Sequence, residues 1–434
     1  MSKNRIALKF RIIAILGVVF LMVIGMLLGA LFFVRPKTSV VEKRKLTRFP
    51  KFTVSSALNG AFFKDVSTWY ADTYPTRDKL IAANNKFKTR YGIETKEKMV
   101  AKVKKKADEI PVDDDTEVAE LPKDVEPPKT SAVDEEVQDA VTNGLYIKDG
   151  VVYNIFYFYH EGVDRYVSLL NEAAKQLDGT TQVYSVLAPT NVILLDQDLQ
   201  EKIGGSDETQ ALQYYASKFS DQVRFAYLPD IYKKHKDDYL FFNTDHHWTA
   251  DGAYYAYKMF CKEKGIEAHP QDYFEQKTYE PFLGSFYLNL KDESLAENPD
   301  KVKVYIPKGT NECEITDTNG NVTQAKVVRD DDYDENNKYL TFLGGDYPQT
   351  KIVNEEITDD SSCVILCDSY GNAMVPFLVD HYHTVYVMDF RTAQANICGF
   401  CKENSVTDLI VLNSMKISSA NTTLDRMQID LLGQ

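Results

Sequence analysis

From Gly144 to the C-terminus, short apolar runs alternate with amphipathic segments of helical period, and this alternation is the strongest constraint on the fold. The apolar runs are predicted strands: QVYSVLAP, QVRFAYLP, SSCVILC, HTVYVMDF and DLIVLNS. Strands that are apolar on both faces are typical of parallel sheets covered by helices on both sides. The pattern predicts an α/β domain over residues 141–434 with a mostly parallel sheet. Residues from about 270 to 345 interrupt it as a β-rich insertion.

Residues 12–34 form a run of 23 residues without a charge. As a helix, this run would be about 35 Å long, which is enough to cross a bilayer. It exceeds the apolar core of a signal peptide, usually about 7–15 residues, and no clear cleavage site follows it. A buried core helix is the alternative, and it fits poorly with such a run at the N-terminus. We therefore expect a cytoplasmic tail and a transmembrane signal anchor over residues 1–35. Basic residues flank the run on both sides, so charge alone does not decide its orientation.

The net charge of −14 is distributed unevenly along the chain. Residues 1–106 hold 23 basic and 6 acidic side chains, residues 107–140 hold 2 and 13, and residues 141–434 hold 25 and 45. The acidic total argues against nucleic acid as the main partner. Residues 36–106 are expected to form a basic, partly helical membrane-proximal region. Residues 107–140 contain four prolines but no glycine or aromatic residue, which predicts a disordered acidic linker.

The cysteines are sparse for a chain of 434 residues, and several lie in apolar runs. They are Cys261, Cys313, Cys363, Cys367, Cys398 and Cys401. This usage favours buried free thiols over a disulfide framework. Cys398 and Cys401 form a CxxC pair, but no second pair or histidine lies at zinc-finger spacing, so neither a metal nor a redox role is expected there.

Two short motifs carry side chains suited to nucleophilic catalysis. NTDHHWTADG (243–252) places an aspartate and two consecutive histidines just before a predicted helix. CVILCDSYGN (363–372) places Ser369 in the turn after a buried strand, where open α/β sheets bind ligands. A nucleophilic serine needs a base, and the base needs an orienting carboxylate. Together the motifs predict a Ser–His–Asp triad in the chain order Asp, His, Ser.

Simpler interpretations exist for both motifs. Aspartate and serine at such junctions are often only helix N-caps. A metal site is a third possibility, because the imidazoles of His246 and His247 and the carboxylates of Asp245 and Asp368 are suitable ligands. Adjacent histidines point in different directions on most backbones, which makes joint coordination awkward. No metal or other cofactor is therefore predicted.

Several segments of the chain resemble the DHHW protein family. NTDHHWTADGAYYAY resembles the family signature, EKRKLTRFP (42–50) the segment after the signal anchor, and FKDVSTWYADTYPTRDKLI (63–81) the membrane-proximal helix. Other matching segments are YIKDG, APTN, FLGSFY, FLGGDYP and CDSYGNAMVPFLVDHYHTVYVMDFR. The family looks like membrane-anchored relatives of the alginate O-acetyltransferases. The resemblance therefore implies an SGNH-hydrolase-like domain, with the triad in reverse chain order relative to familiar SGNH enzymes.

Carried over onto matching positions, the resemblance implies Ser369 as the nucleophile and Asp245 and His247 as its D-x-H pair. The position between them varies among the acetyltransferase relatives, so His246 is expected to pack or to contact substrate. Family members more often have a lysine before the D-S-Y sequence, where this chain has Cys367.

Further residues are candidates for oxyanion contacts. An oxyanion hole needs two or three donors. The backbone N–H of Ser369, the backbone at Gly344 and Gly345, and the side chain of Asn191 could supply them. Alternatively, the glycines serve only a turn and Asn191 only a cap.

Three other residues are candidates for substrate contacts. Trp248 is expected to be exposed and able to stack on a sugar. Arg391 follows a predicted strand and could position Tyr370 or an anionic group, although a structural salt bridge explains it equally well.

The resemblance implies a membrane-anchored O-acetyltransferase that moves an acetyl group through an acyl-serine to a cell-surface polysaccharide. Export of the family implies a catalytic domain outside the cytoplasmic membrane. The acyl group would then come from a multi-spanning membrane acyltransferase partner. A carbohydrate acetyl esterase and a non-catalytic glycan-binding or scaffold protein are the alternatives.

Overall fold

The computed structural model describes residues 16, 17, 20, 24, 35–39, 44–58, 60–77, 79–80, 97–100, 107–111, 121, 144–393 and 395–433. The chain divides into two compact units, Met1–Ile93 and Glu94–Gln434. Most of the predicted anchor at 12–34 and of the predicted linker at 107–140 lies outside the described residues. Within those residues, no helix has the length and apolar character needed to span a bilayer.

Between residues 35 and 73, the described part of the first unit includes a short antiparallel strand pair and two helices. These are β1 (Thr38–Ser39), β2 (Arg44–Lys45), α1 (Val54–Leu58) and α2 (Ala61–Asp72). The Asp72 carboxylate at the end of α2 accepts hydrogen bonds from the backbone N–H and the hydroxyl of Thr47, at 2.7 and 2.8 Å. The Arg35 guanidinium lies over the rings of Trp69 and Tyr70, 4.3 and 4.8 Å from their centres. These contacts join the segment before β1 and the segment after β2 to α2.

The second unit alternates strands and helices. Its strands are β3 (Glu97–Met99), β4 (Leu145–Lys148), β5 (Val151–Asn154), β6 (Gln182–Ala188), β7 (Val223–Phe225), β8 (Glu275–Phe282), β9 (Asp300–Ile306), β10 (Glu312–Thr316), β11 (Val322–Lys326), β12 (Gln349–Val353), β13 (Ser362–Cys367), β14 (Thr384–Asp389) and β15 (Asp408–Ser414). Its α-helices are α3 (His160–Gln176), α4 (Gln197–Ile203), α5 (Glu208–Lys218), α6 (Pro229–Lys234), α7 (Ala250–Lys264), α8 (Ser285–Leu290), α9 (Val375–Leu378), α10 (Ile397–Glu403) and α11 (Asn421–Leu432).

An eight-stranded mixed sheet forms the centre of this unit, in the order β11-β10-β12-β14-β13-β15-β6-β7. The strands from β14 to β7 in this order are parallel, and they are the five apolar runs of the sequence. The other three strands pair antiparallel. The sheet is therefore mixed, which corrects the prediction of a mostly parallel sheet. Side chains of β10 and β12 alternate between buried and more exposed positions, and those of β11 are mostly exposed, so these strands lack a continuous apolar run. They extend one edge of the sheet.

Helices cover the parallel strands on both faces, as the sequence predicts. Every residue of β13 is buried, so both of its faces are covered. Strands β14 and β15 lie on opposite sides of β13. Right-handed crossovers therefore place α9, between β13 and β14, and α10, between β14 and β15, on opposite faces. Contacts between helices link α3, α5 and α11 to α10. A separate set of contacts links α6 and α7 to α9.

Two smaller sheets complete the unit. Strands β3, β4 and β5 form one of them, with Asp149 and Gly150 in the tight turn at positive φ values of 50° and 79°. Strands β8 and β9 form the other. In the predicted linker, Asp108 donates its backbone N–H to the carbonyl of Phe158 and accepts the N–H of His160 on its carboxylate. The described part of the linker therefore contacts the α/β core.

The six cysteines are buried free thiols, as predicted. Burial raises the pKa of the Cys363 and Cys367 thiols well above the ordinary value, which keeps both in the unreactive protonated form.

Candidate active site

The turn after β13 carries Ser369, at the edge of the sheet where the parallel strands end. The carboxylate of Asp368 fixes this turn by accepting the backbone N–H groups of Tyr370 at 3.0 Å and of Ser414 at 2.9 Å. Because Ser414 ends the neighbouring strand β15, the turn is tied to the sheet. Burial raises the pKa of Asp368 to about 6.

The side chains of Asp245, His247 and Ser369 form one hydrogen-bonded series. His247 Nε2 lies 2.7 Å from Ser369 Oγ, and His247 Nδ1 lies 2.6 Å from Asp245 Oδ1. The same carboxylate oxygen accepts the backbone N–H of His247 at 3.0 Å. The hydroxyl thus faces the nitrogen of a histidine whose other nitrogen faces a buried carboxylate, which is the arrangement that general-base activation of a serine requires.

The Asp245 carboxylate is tightly enclosed. Its second oxygen accepts the backbone N–H of Ser285 at 2.7 Å. A Cβ atom at Gly284 would lie 2.2 Å from the Cβ of Asp245, so the 284–285 backbone approaches the carboxylate closely only because residue 284 is glycine. Burial acts to raise the pKa of Asp245, but the imidazoles of His247 and His246 and these hydrogen bonds hold it well below the ordinary value.

A second buried carboxylate, Asp300 at the start of β9, braces the loop before Asp245. It accepts the backbone N–H of Asn243 at 2.8 Å, and the backbone N–H and hydroxyl of Thr244 at 2.7 and 2.6 Å. The Tyr239 hydroxyl donates to it as well. Burial raises the pKa of Asp300. Nothing in the sequence pattern around Asp300 indicated this role.

The ring of Tyr339 covers His247. The two rings are nearly parallel, at 7°, with centres 4.0 Å apart, and the Tyr339 hydroxyl donates to the carbonyl oxygen of Ser369 at 2.8 Å. Tyr339 therefore contacts both His247 and the serine turn. It comes from the segment that the sequence indicated only as an irregular insertion, so no motif marked it.

Trp248 is fully buried, which corrects the expectation of an exposed ring for sugar stacking. Its indole N–H donates to the carbonyl oxygen of Tyr370 at 2.9 Å. The Tyr370 hydroxyl in turn donates to the carbonyl oxygen of His246. These two bonds join the DHHW segment to the serine turn, so Trp248 and Tyr370 hold the two motifs together.

The predicted oxyanion donors differ in availability. Gly344 has a φ of 80° and donates its N–H to the carbonyl of Leu340 at 2.9 Å, and Gly345 has a φ of 128°, so both occupy a tight turn. The Asn191 side chain donates to the carbonyl of Val152 at 2.7 Å and accepts the N–H of Asn154 at 3.0 Å. Asn191 and Gly344 are thus engaged in structural contacts, in line with the structural alternative that the sequence left open for them. The Ser369 N–H makes no hydrogen bond to the residues that the structure describes.

Arg391 forms a partly buried ion-pair network. Its guanidinium contacts Asp389 and lies 2.7 Å from Asp346, whose other oxygen accepts the side-chain amide of Asn372 at 2.8 Å. This pairing is the structural salt bridge that the sequence left open as an equal alternative for Arg391. It ties the end of β14 to the 344–346 turn and to the segment after Ser369.

His246 lies beside the hydrogen-bonded series of Asp245, His247 and Ser369 rather than in it. Its ring centre is 3.7 Å from that of His247, and its Nδ1 lies 2.7 Å from Ser285 Oγ. Potential metal-ligand atoms of Asp245, His246 and His247 lie within 4.8 Å of one another. Both nitrogens of His247, Nδ1 of His246 and the carboxylate of Asp245 are engaged in hydrogen bonds, so a metal ion bound by these atoms would have to displace those contacts. Asp368 binds backbone N–H groups instead of joining this group.

Comparison with models of protein families assigns the chain to one family. The model of the DHHW protein family matches residues 42–121 and 116–388. The chain belongs to the DHHW protein family. Its resemblance to that family at the level of motifs is thereby confirmed. A search of curated proteins gives no match.

Solved structures of two proteins of similar fold have TM-scores above one half. A DHHW family protein from Eubacterium siraeum is 26% identical, covers 68% of this chain and 99% of its own, and has a TM-score of 0.60. Bacillus cereus PatB1, solved with a sulfonyl adduct, is 19% identical, covers 64% of this chain and 97% of its own, and has a TM-score of 0.55. The O-acetyltransferase domain of Pseudomonas putida AlgJ is 13% identical and covers 62% of this chain and 90% of its own. Its TM-score of 0.34 supports no argument. The first two show that the α/β fold is shared.

Proposed function

We propose that this DHHW protein is a serine-dependent O-acetyltransferase that acetylates a hydroxyl of a carbohydrate polymer. The observation that carries the proposal is the hydrogen-bonded series Asp245–His247–Ser369, with contacts of 2.6 and 2.7 Å. The motif resemblance to alginate O-acetyltransferases supports the choice of acetyl group and carbohydrate.

In the first half-reaction, Ser369 Oγ attacks the carbonyl carbon of an acetyl donor while His247 Nε2 takes the hydroxyl proton. Asp245 holds the hydrogen on Nδ1, which leaves Nε2 free as the base and stabilises the imidazolium that forms. The Ser369 N–H is available to the developing oxyanion. When the bond to the leaving group breaks, the imidazolium gives its proton to that group, and an acetyl-serine ester remains.

In the second half-reaction, a sugar hydroxyl takes the place of the leaving group. His247 Nε2 removes its proton as the hydroxyl oxygen attacks the acetyl-serine carbonyl carbon. The bond to Ser369 Oγ then breaks, and the imidazolium returns a proton to the serine. Water in the same position gives acetate, which is the esterase reaction.

The purified protein with p-nitrophenyl acetate tests the catalytic proposal. We expect release of p-nitrophenolate and an acetylated Ser369 in the intact-mass and peptide spectra. Ser369→Ala and His247→Ala abolish both, whereas Ser217→Ala, at an exposed serine of α5, matches the wild type. Unchanged rates in the first two variants would refute the triad.

The fate of the acetyl group separates the alternatives. Acetylated oligosaccharide in the presence of an acceptor identifies a transferase, and acetate alone identifies an esterase. Glycan binding without any turnover identifies a scaffold. Because PatB1 carries a sulfonyl adduct, an aryl sulfonyl fluoride is a second probe. We expect it to modify the wild type but not Ser369→Ala.

We further propose that residues 12–34 anchor the chain, with the catalytic domain outside the cytoplasmic membrane. The support is the uncharged run of 23 residues and the resemblance to an exported family. The acetyl group would then have to cross the membrane, which calls for a multi-spanning acyltransferase partner. Protease added to intact cells is expected to cut within residues 107–140, and protection of that segment would reverse the orientation.

A further inference from the structure

His246 carries a hydrogen-bonding nitrogen that the triad does not use. Its side chain is 19% exposed, and its ring lies directly beside that of His247. Nδ1 contacts Ser285, whereas Nε2 has no hydrogen-bond partner in the part of the chain that the structure describes. A polar atom of this kind, next to the catalytic base, is available to a bound molecule.

The contacts of Ser285 leave its hydroxyl free to donate to the ring of His246. Ser285 Oγ accepts the backbone N–H of His246 at 3.3 Å, so its own hydroxyl hydrogen is available to Nδ1 at 2.7 Å. Asp245 Oδ1 lies 3.6 Å from Nδ1, which is too far for a hydrogen bond, and it already accepts two N–H groups of His247. With the Ser285 hydroxyl as the donor, Nδ1 is the acceptor and Nε2 carries the hydrogen.

The ring of His246 is also held firmly and stays neutral. The Tyr370 hydroxyl fixes the carbonyl of His246, and Ser285 fixes its backbone N–H and its side chain. Burial and the neighbouring His247 lower the pKa of His246 to about 3. The result is a rigid, uncharged N–H donor at the side of the base.

We propose that His246 positions the acceptor sugar by donating its Nε2–H to an oxygen that neighbours the reacting hydroxyl on the same ring. This inference rests on the proposed function. The reacting hydroxyl has to lie within hydrogen-bond reach of His247 Nε2, because His247 removes its proton. A molecule bound there lies beside His246, whereas the acyl oxygen has to face the Ser369 N–H.

The pair of imidazoles therefore recognises two adjacent oxygens. His247 Nε2 accepts the hydrogen of the reacting hydroxyl, and His246 Nε2–H donates to the oxygen on the next carbon. The acceptor class that fits is a sugar residue with a vicinal diol around the acetylated position, and His246 is a positioning residue for it.

Two alcohols that differ by one hydroxyl test this proposal: trans-1,2-cyclohexanediol and cyclohexanol. Each competes with water for the acetyl-serine formed from p-nitrophenyl acetate, and the acetylated products are quantified in one sample. We expect the wild type to prefer the diol. The preference falls roughly 3- to 10-fold in His246→Phe, because one hydrogen bond is lost. His246→Gln retains part of it through its amide N–H, and the control variant His383→Phe keeps the wild-type preference.

The product ratio does not depend on the fraction of folded protein, so a poorly folded variant still gives an answer. An unchanged diol preference in His246→Phe would overturn the inference. So would an equal fall in transfer to both alcohols and to water, because the ring would then only support His247. If the wild type forms acetyl-serine without any diol preference, the inference alone fails. If it forms no acetyl-serine, the proposed function fails, and the inference fails as well because it depends on that function.

Discussion

At the residue scale, the Asp245 carboxylate accepts three hydrogen bonds, two from His247 and one from Ser285. In Asp245→Asn, the amide NH₂ could face His247 Nδ1, which would move the imidazole hydrogen to Nε2 and point it at Ser369. We expect kcat for acetyl release to fall on the order of 10³- to 10⁴-fold, as a wrong tautomer does in serine hydrolases. Esterase assays measure this loss, and an unchanged circular dichroism spectrum shows that the fold is intact. A loss below tenfold would contradict the role of Asp245.

His381, which lies outside the hydrogen-bonded series of the site, gives stability a defined pH dependence. Burial and the stacked ring of His269 lower its pKa to about 4. The unfolded chain binds a proton near pH 6.5 and the folded chain only near pH 4. The free energy of unfolding therefore decreases as the pH falls through this window.

Urea unfolding at pH 7 and pH 5 checks this contribution. Between the two, the wild type is expected to lose about 2 kcal/mol more than His381→Gln. Comparing the two proteins cancels the opposing effects of buried carboxylates such as Glu208, whose pKa burial raises to about 8. Equal pH dependence in both proteins would show that His381 is not held neutral.

At the scale of elements, β9 supports the site through its first residue. Asp300→Ala leaves the backbone N–H groups of Asn243 and Thr244 without their acceptor. We expect a loss of about 3 kcal/mol in stability, together with a lower kcat because the Asp245 loop loses its brace. The neighbouring exposed Lys301 is the matched control, and Lys301→Ala should change stability by less than about 0.5 kcal/mol. Equal melting temperatures of the two variants would contradict the bracing role.

The sequence predicted elements well where one local pattern decided the outcome. The five parallel strands could be recognised because both of their faces are buried, which leaves continuous apolar runs. Strands β10 to β12 could not be recognised in the same way, because one face of each is polar or exposed. Their pairing depends on which edge of the sheet accepts them, and that is a tertiary property.

The candidate site shows the same division. Asp245, His247 and Ser369 stood out because two short motifs contain them, and the structure brings them within hydrogen-bond distance. Tyr339 and Asp300 come from the insertion with no pattern around them. Trp248 was expected at the surface. A large ring next to a histidine pair is equally compatible with burial, and its packing against the serine turn, a tertiary contact, determines that it is buried.

At the scale of the whole molecule, the α/β unit extends upstream of residue 141. Strand β3 pairs with β4, and the Asp108 carboxylate accepts the N–H of His160 at the start of α3. We expect a chain of residues 94–434 to unfold cooperatively at a melting temperature several degrees above that of residues 141–434. Differential scanning calorimetry measures the difference. Identical melting temperatures would show that β3 and Asp108 contribute nothing.

The hydrogen bond between His247 and Ser369 joins positions 122 residues apart in the chain. A contact that closes so large a loop is entropically costly, so it forms only when the intervening strands have already packed. We therefore expect the proposed catalytic geometry to form late in refolding. We expect acetyl-releasing activity recovered after dilution from denaturant to lag behind the recovery of ellipticity, so that it reports the completion of folding rather than the collapse of the core.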